Sequence, residues 1–452
     1  MTTLAISLND AAITAVTGSR LVYREPGYAL LADGELLTGR RAMAQARRHP
    51  RSVVNHYWRH LGVEPVQELK FRHLTPADLA SRQLEELWRG ERSAADGVVF
   101  AVPAWMERDS LGVLLGIAGE LSLPVTALVD AAVACSRQAY PGRSLLHVDL
   151  SLHTATVSRI AQDDGAVTDR VELVDAAGLV ALRDTWVAVI AEAFVRQSRF
   201  DPLHTAESEQ LLYDRLDAWL ETAGRSGEVR MQLEFGGHVH EATLPLITFT
   251  EAVSGIYQNL AGHLRSLIRA AEVPALQLTR HTAGLPGLVD FLVARAGGEP
   301  FVLEEAAAAR GALARASAAT AGAKRLTRRL PWDQSSVEAP AAPAREAGES
   351  PTHLLDGHRA RALDEAGLAI GTSLGGESGI TLDADMAGVS RRHCVLRREN
   401  GQYIVEDLSR YGTWLNGSRI DRSAVLQAGD SLRVGTPGQE FRLIRVVESD
   451  DA

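Results

Sequence analysis

The sequence predicts an α/β domain, a flexible linker and an all-β sandwich, in that order, and three observations predict it. Up to about residue 314, strand-like apolar runs alternate with long amphipathic helical patterns, which is the mark of an α/β architecture. From residue 315 to 352 that periodicity stops in "RASAATAGAKRLTRRLPWDQSSVEAPAAPAREAGESPT", a stretch of Ala, Pro, Ser and charge with few groups to bury. From residue 353 to 452, short alternating segments such as "HCVLRRENGQYIVEDL", "TWLNG", "DSLRVG" and "EFRLIRV" are separated by Gly and Asn turns, the pattern of a small antiparallel sandwich.

Composition bounds the function classes. A chain of 452 residues exceeds one ordinary core, and 46% apolar with 23% charged residues is the balance of a folded protein. A net charge of -10 argues against general nucleic-acid binding. No apolar run reaches membrane-spanning length, and "MTTLAISLNDAAITAV" lacks the basic front and cleavage pattern of a signal peptide, so a cytoplasmic location away from membranes is expected. Cys135 and Cys394 stand far apart, which leaves no disulfide framework and no cysteine zinc site.

Individual elements follow from local signals. "TPADLASRQLEELWRG" reads as a helix with a Thr75 cap, Pro76 in its first turn, an apolar stripe of Leu79, Leu84, Leu87 and Trp88, and Gly90 at its end. In "RQSRFDPLHTAESEQLLYDRLDAWLETAG", Leu211, Leu212, Leu216 and Trp219 recur at helical spacing, a core-packing face on a charged outer lobe. "HYWRH" sets His56 and His60 one helical turn apart, but no Glu or third ligand accompanies them, so no metal site is assigned. Ser390 and Arg391 begin a strand at a loop face, where a hydroxyl and a guanidinium can grip a phosphate dianion.

The C-terminal run carries, in order, "IG", "VSRRH", "DLS", "GTWLNG" and "L-x-x-G-D-x-L-x-V-G", and over this length it resembles a forkhead-associated (FHA) domain. The resemblance implies a sandwich whose loops at one end recognise phosphothreonine, with Ser390, Arg391, Arg410 and Tyr411 at the phosphopeptide. It also implies that Gly371, His393, Gly412, Thr413 and Asn416 hold those loops rather than touch ligand. Two departures stand out: Thr372 follows Gly371 where the family usually has Arg, and Tyr411 precedes the Gly-Thr pair where it usually has Asn. Thr327 or Thr352, once phosphorylated, is a candidate occupant of the module in cis.

Residues 1–314 resemble the ATPase domain of the seventy-kilodalton heat-shock chaperones, through "VVFAVPAWMERDSLGVLLGIAGELSLPVTALVDAAVACSRQAY", "HVDLSLHTATVSRI" and "LTRHTAGLPGLVDFLVARAGGEPFVLEEAAAARGALARA". The implied fold is actin-like, two lobes around a cleft. A cleft that cradles phosphates needs glycines, because only a backbone without Cβ brings successive N–H groups close to phosphate oxygens. By the resemblance, Ser7 stands at the metal-associated Asp and Asn9 at a glycine of "AISLNDA". "DLSLHT" keeps Asp149 and Thr154 but puts Ser151, Leu152 and His153 at the glycines, Arg280 and His281 replace a glycine pair, and Trp58 falls on the catalytic Lys.

ATP and magnesium are therefore not expected to be turned over, and no catalytic residue, cofactor or metal is assigned. The expected function is a non-catalytic scaffold or adaptor: a degenerate chaperone-ATPase body joined to an FHA module that binds protein partners, phosphothreonine-containing ones among them. The alternative is an ATP-binding enzyme or nucleotide-sensing switch with altered phosphate loops.

Overall fold

Strand Thr3–Ser7 pairs antiparallel with Ile13–Thr17, which pairs with Arg20–Glu25; on its other side it runs parallel to Gly97–Val102, and this strand runs parallel to Val125–Asp130. Ser144–Leu150, Thr154–Gln162 and Gly165–Asp175 repeat the meander, and Pro274–Leu278 and Glu299–Val302 repeat the parallel pair. One strand order thus occurs twice, a mixed α/β arrangement in which each half carries its own sheet. Gly97–Val102 and Pro274–Leu278 are buried along their whole length, the expected result for parallel strands covered on both faces.

The structure is a computed structural model that describes residues 2–445 except 33, 93–94, 270–271, 320–324, 334–349, 357–358, 364–366, 377, 384–387, 400, 416–417, 421 and 436–438. It divides into two units, Met1–Val337 and Glu338–Ala452. Among the described residues, no helix is long and apolar enough to cross a membrane.

Helix Pro76–Glu91 begins as the sequence predicts. The Thr75 hydroxyl accepts from the Asp78 N–H, the Asp78 carboxylate accepts from the Thr75 N–H, and Leu79, Leu84, Leu87 and Trp88 are buried. Helix Ala206–Ser226 buries Leu212, Leu216 and Trp219 against a core that includes Val229, Met231 and Leu233 of the Glu228–Phe235 strand, while Leu211 is half-buried.

The segment that composition assigns to the linker does not begin at residue 315. Arg315 is buried, helix Ala316–Ala319 follows, and strands Leu326–Thr327 and Arg329–Pro331 join one sheet each. Leu326–Thr327 runs parallel to Leu128 and Val129 in the first sheet, and Arg329–Pro331 pairs with Gly165–Val167 in the second. This short stretch stitches the two sheets together, and its chain is engaged in backbone pairing, so Thr327 is not carried on a loose tether. Residues 334–349 of the expected linker lie outside the described residues.

In the second unit, a six-stranded sheet faces a five-stranded sheet around a core of Leu354, Ile370, Leu396, Val405, Leu432 and Phe441. Thr352 is built into this sandwich: its N–H donates to the Ile444 carbonyl and its own carbonyl accepts from the Leu363 N–H. Presentation of Thr352 to a binding site in cis would require stripping it from the sheet.

Candidate functional site

Two places gather the residues singled out in the sequence: the floor of a cleft in the first unit and one loop end of the sandwich.

The cleft floor is made by two hairpin turns, one from each half. In the first, the Ala11 N–H donates to the Asn9 side-chain oxygen at 2.9 Å, an Asx turn that aims the Asn9 amide nitrogen outward. That nitrogen donates to Asp149 at 2.8 Å and to the Leu150 carbonyl at 3.0 Å, both in the other half. The next residue, Asp10, accepts from the Leu152 N–H at 2.7 Å.

The second turn replies side chain by side chain. Ser151 accepts from the Trp105 indole N–H at 2.9 Å. Leu152 enters an apolar cluster with Tyr28, Leu30, Leu37, Ala42 and Ala46 of the first half, and His153 contacts the Asn55 carbonyl and side-chain oxygen, each at 3.1 Å. Gly178 clamps the turn from behind, since a Cβ there would lie 2.3 Å from the His153 carbonyl carbon. The three side chains that stand where a phosphate cradle has glycines all dock onto the opposite half.

Asp149 is the electrostatic centre of this floor. Thr279 donates to it at 2.6 Å and the His281 imidazole lies at 3.2 Å, its Nε2 also 2.7 Å from the Leu150 carbonyl. Burial pushes the Asp149 carboxyl up, but the hydrogen bond and charge of His281, with help from His147 and Thr279, outweigh it and hold the carboxyl at about 2. Burial lowers His281, and its hydrogen bond and charge contact with Asp149 more than offset that, so its pKa is raised. The carboxylate is saturated by Asn9, Thr279 and His281.

Above the floor lies a cleft of about 850 Å³. Ser7, Asn9, Asp149, Arg280 and His281 line it. Ser151, His153 and Thr154 do not: the first two face the other half, and the Thr154 hydroxyl points to Asp175 at 3.5 Å. Trp58 is corrected too. It is fully buried in the core of the first half, where its indole N–H donates to Gln83 at 2.8 Å, so it faces no cleft. Gln83 binds both Trp58 and Tyr57 from a helix. His56 and His60 have ring centroids 5.7 Å apart, and among the described residues no group of three or more potential ligands could hold a metal.

Asp10 and Trp105 were not legible as site residues, since nothing in their spacing marks them. Asp10 is fully buried, and one of its oxygens has no partner among the described residues. Burial, with the Asp149 charge adding to it, raises its carboxyl to about 7 despite the Leu152 hydrogen bond. The unfolded chain releases this proton near 3.8, so the folded protein binds the extra proton between about 3.8 and 7 and loses stability as pH rises through that window. An Asp10→Asn variant is expected to gain at least about 2 kcal/mol relative to the parent between pH 4.5 and 8, one pKa unit being about 1.4 kcal/mol. The pH dependence of the difference in Tm measures this, and a flat difference contradicts it.

The second place is the loop end of the sandwich. Gly371 ends strand Leu368–Gly371, and a Cβ there would lie 2.1 Å from the Arg391 carbonyl oxygen, so only glycine lets the two segments meet. The Thr372 and Ser373 N–H groups then donate to the Ser390 and Arg391 carbonyls at 3.2 and 2.9 Å. His393 is fully buried, its Nδ1 accepting from the Ser390 N–H at 3.0 Å and its Nε2 donating to the Gly412 carbonyl at 2.7 Å. Burial lowers its pKa, which keeps the imidazole in the neutral tautomer these two bonds require.

The Ser390 hydroxyl accepts from the Arg410 N–H at 3.2 Å, and the Gly412 N–H donates to Ser409 at 2.7 Å. Thr413 donates to Asp407 at 2.9 Å. Arg391, Arg410 and Tyr411 are exposed at this end. Gly371, His393, Gly412 and Thr413 therefore act within the scaffold of the loops, while Asn416 lies outside the described residues.

Residues 369–435 match the FHA domain family. The second unit therefore contains an FHA domain, a protein-interaction module of a family that binds phosphopeptides. No curated protein matches the chain.

Proposed function

We propose that the chain is a non-catalytic scaffold in which an actin-like body, related to the chaperone ATPases, is joined to an FHA module that binds phosphothreonine in protein partners. One observation carries the first half of this reading: Ser151, Leu152 and His153 use the glycine positions of the phosphate hairpin to fasten one half of the body to the other. A phosphate cradle needs open N–H groups, and here the Leu152 N–H is already bonded to Asp10 and the Ser151 N–H to the Thr154 carbonyl. The carboxylate of Asp149 is spent on Asn9, Thr279 and His281 instead of on a hydrated cation. These residues do not fit magnesium and a triphosphate, and no hydrolytic step is assigned to them. The repeated strand order on either side of the cleft supports the actin-like relation.

For the module, Arg391 and Arg410 supply the cationic groups in place of the Arg that Thr372 displaces. Neither guanidinium has a hydrogen bond or ion pair among the described residues, and both rise from loops fixed through Ser390. A second reading, nucleotide binding without hydrolysis, is favoured by the size of the cleft, which suits a small ligand, and by Arg24, Arg183 and Arg280 on its walls.

Thermal unfolding of the full chain separates these readings. A phosphothreonine peptide is expected to raise the transition of the second unit, whereas millimolar ATP with magnesium is expected to leave that of the first unchanged. A ligand at a hundred times its dissociation constant adds about 2.7 kcal/mol, so a nucleotide-induced rise of several degrees would replace the first half of the reading with the second. No response to the phosphopeptide would remove the other half.

A further inference from the structure

The loop that carries Arg410 also displays two large apolar side chains. Leu408 is 41% and Tyr411 53% exposed, on either side of Arg410 along the chain. Water-facing apolar groups are common on mobile surfaces, but this loop is held on both sides of Tyr411. The Leu408 N–H donates to the His393 carbonyl at 2.8 Å, the Ser409 N–H to Asp407 at 3.0 Å, the Arg410 N–H to Ser390 at 3.2 Å and the Gly412 N–H to Ser409 at 2.7 Å. An apolar pair on a fixed backbone is a preorganised contact surface, because little ordering cost remains when a partner covers it.

The chemistry at position 411 points the same way. An Asn there would offer an amide to hydrogen-bond a peptide backbone, which is blind to side chains. Tyr411 offers a ring, and its hydroxyl has no partner among the described residues.

We propose that this loop end selects phosphopeptides in which a bulky apolar residue lies close to the phosphothreonine, the ring of Tyr411 and the side chain of Leu408 covering that residue while Arg391 and Arg410 hold the phosphate. The proposal rests on the phosphothreonine reading above. Charge complementarity fixes the class of partner: two guanidiniums with no partner among the described residues call for a dianion, and the apolar flank disfavours a second charge beside it. An acidic residue next to the phosphate therefore weakens binding here, although the cations alone would favour it.

The test uses the full chain and synthetic phosphothreonine nonapeptides, with one flanking position at a time fixed as Leu, Ser or Asp, the others degenerate, and unphosphorylated copies as controls. At one flanking position, Leu is expected to bind about tenfold tighter than Ser or Asp, a ratio equal to about 1.4 kcal/mol. Tyr411→Ala with Leu408→Ser removes that preference and leaves phosphate dependence, and Tyr411→Phe retains both. Phosphate-dependent binding without an apolar preference, or a preference that survives Tyr411→Ala with Leu408→Ser, overturns this inference alone. Absence of phosphate-dependent binding overturns it together with the reading beneath it.

Discussion

Replacing Arg315 by Ala is expected to destabilise the first unit by about 3–5 kcal/mol, the range seen when a buried charged group loses its partners or leaves them unsatisfied. The guanidinium sits where helix Ala131–Cys135 ends, among its last carbonyls, of which that of Val133 also accepts from the Ser136 N–H. It donates to Val133 and Ser136 at 3.3 and 2.9 Å, to Ala134, to Gly311 at 3.0 Å, and to Pro331, at the end of the second stitching strand, at 3.4 Å. Burial lowers its pKa to about 10, which still leaves it charged at neutral pH. Water cannot replace it cheaply, because helix Ala307–Ala314 packs backbone on backbone there: a Cβ on Gly311 would lie 1.8 Å from the Ala134 carbonyl oxygen.

Arg315→Ala thus takes the donor from the Ala134 and Ser136 carbonyls, each lost bond costing about 1–3 kcal/mol. Arg315→Lys keeps the charge but has three donors on one atom instead of a planar fork, so it should recover only part of the loss. Thermal unfolding of the full chain measures both variants. For a unit of this size the Ala variant should lower Tm by roughly 10 °C, at about 2–4 °C per kcal/mol. A shift below about 1 kcal/mol would mean the carbonyls find other donors.

That Arg315 was assigned to a linker explains what the sequence could and could not convey. Composition marks segments by what they bury on average, and a lone buried Arg among Ala and Ser looks the same as a solvated one. Leu326–Thr327 and Arg329–Pro331 are two and three residues long, shorter than any run in which alternation is detectable.

The sandwich was legible because its motifs are local. "VSRRH" places His393 three residues after Ser390, and "GTW" sets Gly412 one bond from Thr413. In the first unit the loss of glycines in "DLSLHT" was readable, but its consequence was not: Ser151 meets Trp105 and His153 meets Asn55 across separations of 46 and 98 residues. The Asn9 to Asp149 bond spans 140. One sequence carries no trace of such pairs until the chain is folded.

Replacing His393 by Ala should act on the second unit alone, and on its function before its fold. The imidazole bridges two loops that are also joined by the Ser390 hydroxyl: one ring nitrogen takes the Ser390 N–H, the other gives its proton to the Gly412 carbonyl. Removing it orphans a donor and an acceptor and opens a cavity in a fully buried site. Two unmade bonds at about 1–3 kcal/mol each, with a cavity term, give an expected loss of about 3–5 kcal/mol. The backbone bonds of His393, to the Ile370 carbonyl and from the Leu408 N–H, do not depend on the side chain, so the strands can survive at low temperature.

The loops cannot survive in the same way. Ser390 holds Arg410 and precedes Arg391, so both guanidiniums that the proposed function assigns to the phosphate lose part of their fixed origin. At 15 °C, with far-ultraviolet circular dichroism still native, phosphopeptide affinity should fall at least about tenfold, the equivalent of about 1.4 kcal/mol. Lower Tm with unchanged affinity would show that Arg391 and Arg410 are positioned without this bridge, and the phosphate would have to be sought elsewhere on the sandwich.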